Sequence, residues 1–210
     1  MSALRYATRS AALLAAFALA SAAILAVTHH LTHESIAANQ RAAELDKLHS
    51  ILPPDAYDND LVTDTIQITA PDALGSEKPL TVYRARKDGE PVAAILTVVA
   101  PDGYNGPIKL LVGIRTNGKI AGVRILHHNE TPGLGDGIET ARSDWITQFR
   151  DKSLDQPDSD AWATQPHGGE FDALSGATVT SDAVAGAVKR ALEYFGREQK
   201  KLFQAASGKN

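Results

Sequence analysis

The chain has 210 residues and a net charge of −4, and its acidic and basic residues are interleaved along the sequence. It therefore lacks the basic patch of a nucleic-acid-binding protein. It has no cysteine, which excludes Cys-ligated iron–sulfur clusters, thiol catalysis and disulfide bonds. Any redox chemistry must come from an organic cofactor or from a site built of other ligands.

The first predicted element is a membrane helix. The segment from Ala11 to Val27 is uncharged and almost wholly apolar, and as a helix it spans roughly 25 Å, slightly less than a typical hydrocarbon core. Arg5 and Arg9 precede it, and the next Lys or Arg is Arg41, so the positive-inside rule places the N-terminus in the cytoplasm and the remainder outside. The small residues Ala20-Ser21-Ala22 leave a cleaved signal peptide open as the alternative.

The rest of the chain reads as a linker and one domain. We predict four regions: a cytoplasmic N-terminus over 1–10, a transmembrane helix over 11–28, a juxtamembrane helical linker over 29–54 and an exported domain over 55–205. Pro53-Pro54 ends the linker helix. His29 and His33 lie four apart on this helix, but the sequence offers no third ligand beside them. No metal site is predicted.

The exported domain begins with strand patterns. They predict five strands, over Leu61–Thr69, Leu80–Arg86, Val92–Val99, Ile108–Thr116 and Lys119–Leu126. Asp88-Gly89 and Asn117-Gly118 are tight-turn signals, and the second suits a two-residue hairpin with both central residues at positive φ. Strands joined by short turns favour an antiparallel sheet. Asp58, Asp60 and Asp64 lack the glycine and closing Glu of a calcium loop, and we interpret them as loop charges.

Two helices are predicted to cover this sheet, over Thr140–Arg150 and Asp182–Leu202, and the polar stretch Lys152–Gly169 between them is predicted to be a surface loop. The second helix has apolar residues at the spacing of one buried face, at Val184, Ala187, Val188, Ala191, Leu192 and Phe195. Thr180 or Ser181 is the expected N-cap. The fold class is therefore α+β: an N-terminal transmembrane helix, then one domain with helices on a mainly antiparallel twisted sheet.

A glycine-broken turn rich in hydroxyls, Asp172 to Ser181, precedes this helix. Backbone amides at such a helix start favour an anion such as phosphate, although an ordinary helix cap explains the same residues. The pattern Asp-x-x-Ser-Gly-Ala-Thr, which ends at Thr178, resembles the flavinylation signal of domains that carry FMN through a phosphoester to a threonine hydroxyl. The loop Glu-Thr-Pro-Gly-Leu-Gly-Asp from Glu130, the aromatic pair Trp145 and Phe149, and the apolar N-terminal segment extend the similarity.

Over nearly its whole length the chain resembles the G subunits of Rnf ion-translocating electron-transport complexes, which are related to the C subunit of sodium-pumping NADH:quinone reductase. The resemblance implies that FMN is bound covalently at Thr178. A separate flavin transferase must attach it, because the hydroxyl is unactivated and the motif contains no neighbouring base. The resemblance implies that this transferase uses FAD as the donor. The other residues predicted around the cofactor come from the turn and from the preceding glycine-rich loop: Ser175, Gly176, Ala177, Val179, Thr180, Glu130, Thr131, Leu134 and Gly135.

The loop residues are assigned to the isoalloxazine because glycines let the backbone approach a flat ring closely. A mobile surface loop is the alternative. For Trp145 and Phe149 we expect core packing before any contact with the flavin.

The functional expectation is a single-pass inner-membrane flavoprotein of an Rnf-type complex, with its main domain in the periplasm. It would carry electrons without catalytic side chains of its own and couple their transfer to ion translocation. Its expected partners are the other membrane subunits and the flavin transferase. Two alternatives stay open: a C-type subunit of a sodium-pumping quinone reductase, and an exported binding or assembly protein whose Thr178 is never modified.

Overall fold

The computed structural model describes residues 2–204, except for the side chains of residues 2–5, 10 and 13. Met1 and residue 205, at the ends of two predicted regions, lie outside the described residues. The chain divides into two units, residues 1–44 and 45–210, each of which is described by itself.

Helix α1 (Ser2–His49) makes up the first unit and reaches into the second. Its most apolar stretch has a mean hydropathy of 2.3, so by length and composition it is a helix that could cross a membrane. Apolar side chains such as Phe17, Ile24 and Leu25 are exposed on it, as on a helix that faces lipid. The predicted apolar helix is confirmed, and it continues without a break to His49.

The second unit is built on a five-stranded antiparallel sheet in the order β1-β2-β3-β4-β5. The strands are β1 (Thr65–Ile68), β2 (Leu80–Lys87), β3 (Glu90–Ala100), β4 (Ile108–Arg115) and β5 (Ile120–His127). The predicted antiparallel sheet and the α+β class are confirmed. The first strand is shorter than expected because the Asp60 carboxylate accepts a hydrogen bond from the Val62 N–H at 3.1 Å, which holds residues 60–64 in a turn.

The two hairpin turns differ from each other. Asp88 and Gly89 both have positive φ, 53° and 81°, as a two-residue turn between twisted strands requires. At the second turn only Gly118 has a positive φ, 80°, so the expectation for Asn117 is wrong. The Asn117 side chain instead accepts the N–H of Lys119 at 3.1 Å, and the loop spans three residues with glycine in the left-handed position.

Helix α3 (Thr178–Gln204) covers one face of the sheet. All six residues predicted for its apolar face are buried there, together with strand residues such as Leu96 and Val112. The helix begins four residues earlier than predicted, with Ala177 before its first residue. Ser181 lies within the helix and is not its N-cap. Its hydroxyl donates to the Ala177 carbonyl at 3.0 Å and accepts the Leu174 N–H at 2.9 Å.

The helix predicted over Thr140–Arg150 is wrong. Only a 3-10 turn, Trp145–Phe149, forms there. The Ser143 hydroxyl donates to the Gly137 carbonyl at 2.6 Å and accepts the Trp145 N–H at 3.1 Å, and such side-chain bonds to the backbone compete with a helix.

The loop predicted over Lys152–Gly169 has no strand or α-helix, but it is not wholly on the surface. Its Trp162 is 4% exposed, stacks on Phe149 and packs at a tilted angle against Phe171. The short helix α2 (Pro71–Leu74) was not predicted.

The other face of the sheet is covered by the chain that follows α1. Neighbours along β3 divide between two separate cores, with Ala94 and Leu96 in the first and Ile95 in the second, because successive strand residues point to opposite faces. The second core also contains three residues from the end of α1 and the turn after it, namely Leu48, Ile51 and Leu52.

Two glycines on paired strands make room for this cover. Gly113 of β4 lies opposite Gly122 of β5. A Cβ atom on Gly113 would lie 2.3 Å from Cγ2 of Ile51, and one on Gly122 would lie 3.2 Å from its Cα. The paired glycines therefore form a recess that seats Ile51 against the sheet.

A buried ion pair ties β2 to the last turn of α3. Arg84 is 2% exposed, and its Nε donates to the Asp64 carboxylate at 2.8 Å, while Arg86 donates to the other oxygen at 2.9 Å. The same two guanidinium groups donate to the carbonyls of Leu202 and Phe203 at 3.1 and 2.9 Å. Such carbonyls lack partners within the helix and favour positive charge. Asp64 is thus a structural partner, and its interpretation as a loop charge is wrong.

We expect Asp64→Ala to lower the free energy of unfolding by about 3 kcal/mol, because it removes the carboxylate that binds both the buried Arg84 and Arg86. Urea denaturation monitored by circular dichroism measures the loss. Asp151→Ala is the control: it removes a carboxylate from an exposed pair with Arg115, where about 0–1 kcal/mol is expected. Equal losses in the two variants would contradict the structural role of the buried pair.

Candidate functional site

A pocket of about 540 Å³ lies at one end of the sheet, where β3 and β5 end and β4 begins. Three segments build it: the β3–β4 loop, the loop after β5 and the start of α3. Its lining residues are Tyr104, Glu130, Thr131, Leu134, Gly135, Gly176, Ala177, Thr178, Val179 and Thr180. The structure therefore brings together nine of the ten residues predicted for the cofactor. The tenth, Ser175, is exposed in the turn outside this lining.

The start of α3 presents backbone amides to the pocket. Thr178 is the first residue of the helix, and the first i to i−4 hydrogen bond runs from the Ser181 N–H to the Ala177 carbonyl at 3.1 Å. The amides of Thr178, Val179 and Thr180 precede that bond and have no partner within the helix. Together with the helix dipole, they form a place for a single negative charge.

The Thr131–Gly135 loop is held in one shape by its own hydrogen bonds. The N–H groups of Leu134 and Gly135 donate to the Thr131 carbonyl at 3.1 and 3.0 Å. Gly133 has a φ of 79°, and its N–H donates to the Asp136 carboxylate at 2.8 Å. A tight, closed loop results, with the backbone of Gly135 on the pocket wall.

Glu130 connects the three segments of the pocket. Its side chain is only 4% exposed. One carboxylate oxygen accepts the N–H of Asn105 at 3.1 Å, and the other accepts the hydroxyl of Thr180. Its own N–H donates to Nδ1 of His128 at 3.0 Å. A single buried carboxylate thus fixes the β3–β4 loop and the helix start relative to the loop after β5.

Sequence reasoning missed the β3–β4 loop entirely. Tyr104 stands at the mouth of the pocket with 69% of its surface exposed, and the side-chain amide of Asn105 donates to the hydroxyl of Thr131 at 3.0 Å. The available signal was an aromatic residue between two glycines, Gly103 and Gly106, in a short connection between strands.

Trp145 and Phe149 lie outside the pocket and pack against each other with ring centroids 5.5 Å apart. Core packing, the first expectation for the pair, is therefore confirmed. Trp145 also acts on the threonine motif, since its indole N–H donates to the Asp172 carbonyl at 2.7 Å. The Asp172 side chain is exposed and accepts a bond from Gln165 at 2.9 Å.

Comparison with known proteins places this pocket in a family. The FMN-binding domain family matches residues 103–193, and the family described as the RnfG N-terminal region matches residues 1–51. The chain is 44% identical over 194 residues to the G subunit of the ion-translocating oxidoreductase complex of Shewanella loihica, covering 92% of both chains. It belongs to the family of G subunits of ion-translocating oxidoreductase complexes. The G subunit of Pseudomonas aeruginosa is 44% identical over 92% of this chain and 91% of its own length. That of Vibrio cholerae is 42% identical over 90% of both chains.

The resemblance predicted from the threonine motif is thereby confirmed, and it favours the G-type over the C-type alternative. The matched FMN-binding region, residues 103–193, contains all three segments of the pocket, from Tyr104 to Thr180. The strands β1 and β2 and the cover of the second core lie outside that region.

Proposed function

We propose that this protein carries electrons through an FMN that is joined by a phosphoester to the Thr178 hydroxyl, with the ring in the pocket. The observation that carries the proposal is the position of Thr178. Its side chain stands at the first turn of α3, beside the backbone amides at the start of the helix and on the wall of a cavity of about 540 Å³. When bound, FMN would supply reversible acceptance of electrons, which no side chain of this chain provides.

The size and lining of the pocket fit the group. Small-molecule pockets measure about 300–1,000 Å³, and this one is about 540 Å³. Tyr104, Leu134 and Val179 supply exposed apolar surface for the ring, while the loop at Gly135 supplies close backbone. The predicted contacts of Glu130, Thr131, Leu134 and Gly135 with the isoalloxazine belong to this proposal.

The charges around the pocket favour a tether over reversible binding. The lining residues include no Lys or Arg, so the helix start is the positive feature available to a phosphate. One negative charge, that of a phosphodiester, suits such a site better than the two of free FMN. A covalent bond also keeps the cofactor in place without a cationic clamp.

Attachment requires a second protein. The Thr178 oxygen would bond to the flavin-side phosphorus of FAD, the bond from that phosphorus to the AMP oxygen would break, and AMP would leave as the hydroxyl proton passes to the transferase or to water. The pocket lining has no His or Lys to take that proton, and its one carboxylate, Glu130, has both oxygens engaged by Asn105 and Thr180. We therefore assign the base to the flavin transferase.

The names of the relatives describe subunits of a complex. The same role is proposed here, with other membrane subunits as partners and coupling of electron transfer to ion movement.

Expression of the full chain with and without a flavin transferase tests the proposed attachment of FMN. We expect one FMN phosphoryl adduct in the intact mass, and a fluorescent band on a denaturing gel, only when the transferase is present. A chain that never gains flavin would favour the exported binding or assembly protein.

The proposed orientation puts the second unit in the periplasm, since Arg9 precedes the apolar stretch of α1 and the next Lys or Arg is Arg41. A reporter that works only in the periplasm, fused after Asn210, is expected to be active. Activity of a cytoplasmic reporter at the same position would overturn the orientation. A mature chain that begins near Ala23 would overturn only the uncleaved anchor.

Substitutions in the Thr131–Gly135 loop test the ring contacts. We expect Gly133→Val to leave the adduct mass unchanged but to shift the flavin absorption bands. Gly168→Val is a matched control, because both glycines have a φ of 79° and open space at the Cβ position. Each substitution carries a similar backbone cost of about 1–3 kcal/mol. If the spectrum of the folded Gly133→Val protein matched that of the control, the loop would not contact the ring.

A further inference from the structure

Glu130 is a buried acid on the wall of a pocket that, by the proposed function, holds a redox cofactor. We propose that its carboxylate lowers the reduction potential of the flavin in this pocket. The inference rests on the proposed function and adds a role for this side chain beyond contact with the ring.

The partners of Glu130 are groups that can donate to a carboxylate. One oxygen accepts the Asn105 N–H, and the other is hydrogen-bonded to the Thr180 hydroxyl, so each oxygen has a donor group beside it. Within the described residues, no Lys or Arg forms an ion pair with it. The negative charge is therefore stabilised by dipoles and not cancelled by a counter-charge.

The neighbouring His128 has its hydrogen bonds elsewhere. Its Nδ1 accepts the backbone N–H of Glu130, and its Nε2 lies 2.9 Å from the carboxylate of Glu139. Both ring nitrogens are therefore engaged by groups other than the Glu130 carboxylate. The Asp136–Arg142 pair of the adjoining loop has its arginine 63% exposed to solvent, where its charge is screened.

Glycines on both sides make the slot for this carboxylate. A Cβ on Gly103 would lie 3.0 Å from one oxygen of Glu130, and a Cβ on Gly135 would lie 2.9 Å from the other. The β3–β4 loop and the Thr131–Gly135 loop thus leave space for the Glu130 carboxylate because glycine stands at both positions. A larger residue at either position would occupy that space.

The direction of the effect follows from Coulomb's law. Reduction places additional electron density on the flavin, and a fixed negative charge nearby opposes it, more strongly in a partly buried site than in water. The carboxylate therefore favours the oxidised cofactor. Since a buried charge is screened little by salt, the effect should persist at high ionic strength.

The test is a spectroscopic redox titration of the full-length, flavinylated protein in detergent. Glu130→Gln is expected to shift the midpoint potential to a more positive value, and Glu130→Asp is expected to keep it low. Glu170→Gln is the matched control, with the same chemical change and the same change in net charge at a site that is 53% exposed and paired with Lys152. No shift is expected there.

A second variant separates charge from structure. Thr180→Val removes a donor to the carboxylate. At a pH high enough to keep the carboxylate ionised, its charge is then less compensated by dipoles, so the potential is expected to fall below that of the wild type. If the substitutions only loosened the pocket, the midpoint potentials of Glu130→Gln and Thr180→Val would shift in the same direction.

An unchanged potential in folded, flavinylated Glu130→Gln would overturn the inference, as would shifts of one sign in both variants. If Glu130→Gln does not fold, the sign of the Thr180→Val shift decides alone. Intact mass is measured on every sample, so a failure of flavin attachment, which bears on the proposed function, is distinguished from a failure of tuning.

Discussion

Thr178→Ala is expected to abolish covalent flavin completely when the protein is made with a flavin transferase. The substitution removes the one hydroxyl that lies both on the pocket wall and free of a described hydrogen bond within the motif. Thr180 donates to Glu130, and Ser181 donates to the Ala177 carbonyl. Alanine is well tolerated at the start of a helix, so the fold should remain. Intact mass and gel fluorescence measure the loss.

Thr69→Ala is the control for this experiment. Thr69 is exposed and lies outside both the threonine motif and the pocket lining, so the same chemical change there should leave the adduct in place. Peptide mapping of the wild-type protein should locate the flavin on Thr178. An adduct on Thr180 or Ser181, or one that survives Thr178→Ala, would show that the motif has been aligned in the wrong register.

The second large effect concerns where the folded domain begins. The sequence predicts its start at residue 55, which stays a prediction, but the burial of Leu48, Ile51 and Leu52 argues for an earlier start. These three side chains are at most 3% exposed. A protein that begins at Leu45 is expected to fold as a monomer with a cooperative urea transition. A protein that begins at Asp55 is expected to lose that transition and to bind hydrophobic dyes.

The magnitude follows from the apolar surface that would be exposed. Full burial of a Leu or Ile contributes about 1.5–3 kcal/mol, so three such residues account for much of a total stability of about 5–15 kcal/mol. Ile51→Ala in the longer protein is a milder version, with an expected loss of about 2–5 kcal/mol. Equal urea midpoints for the two truncated proteins would show that this cover is dispensable.

Much of the fold could be predicted because its signals are local. The apolar patterns of β2 to β5 and the 3.6-residue period of α3 each describe one element, and turn residues separate them. The prediction of a helix over Thr140–Arg150 failed although the apolar spacing there suits a helix. The Ser143 hydroxyl forms hydrogen bonds with the backbone of Gly137 and Trp145 that compete with helical ones. The cover of the second core was missed because Leu48 and Ile51 fall within the helical linker predicted over 29–54.

The parts of the candidate site that lie within one sequence motif could be predicted. The contacts between residues far apart in the sequence could not. Thr178 and the loop from Glu130 each have a recognisable pattern. The contact between Glu130 and Thr180 joins residues fifty positions apart, and nothing in their separate neighbourhoods indicates it. Tyr104 was missed for the same reason, since its place at the pocket depends on the antiparallel order of the strands.

The two covers of the sheet come from opposite ends of the folded unit. Strands β3 and β4 are buried on both faces, yet residues 48–62 cover one face and the helix from Thr178 covers the other. During translation the first cover precedes the strands, whereas the second is made last. Between the completion of β5 and the completion of α3, a nascent chain therefore carries one bare apolar face, a state that invites aggregation. Its biogenesis should depend on a holding chaperone until α3 is complete.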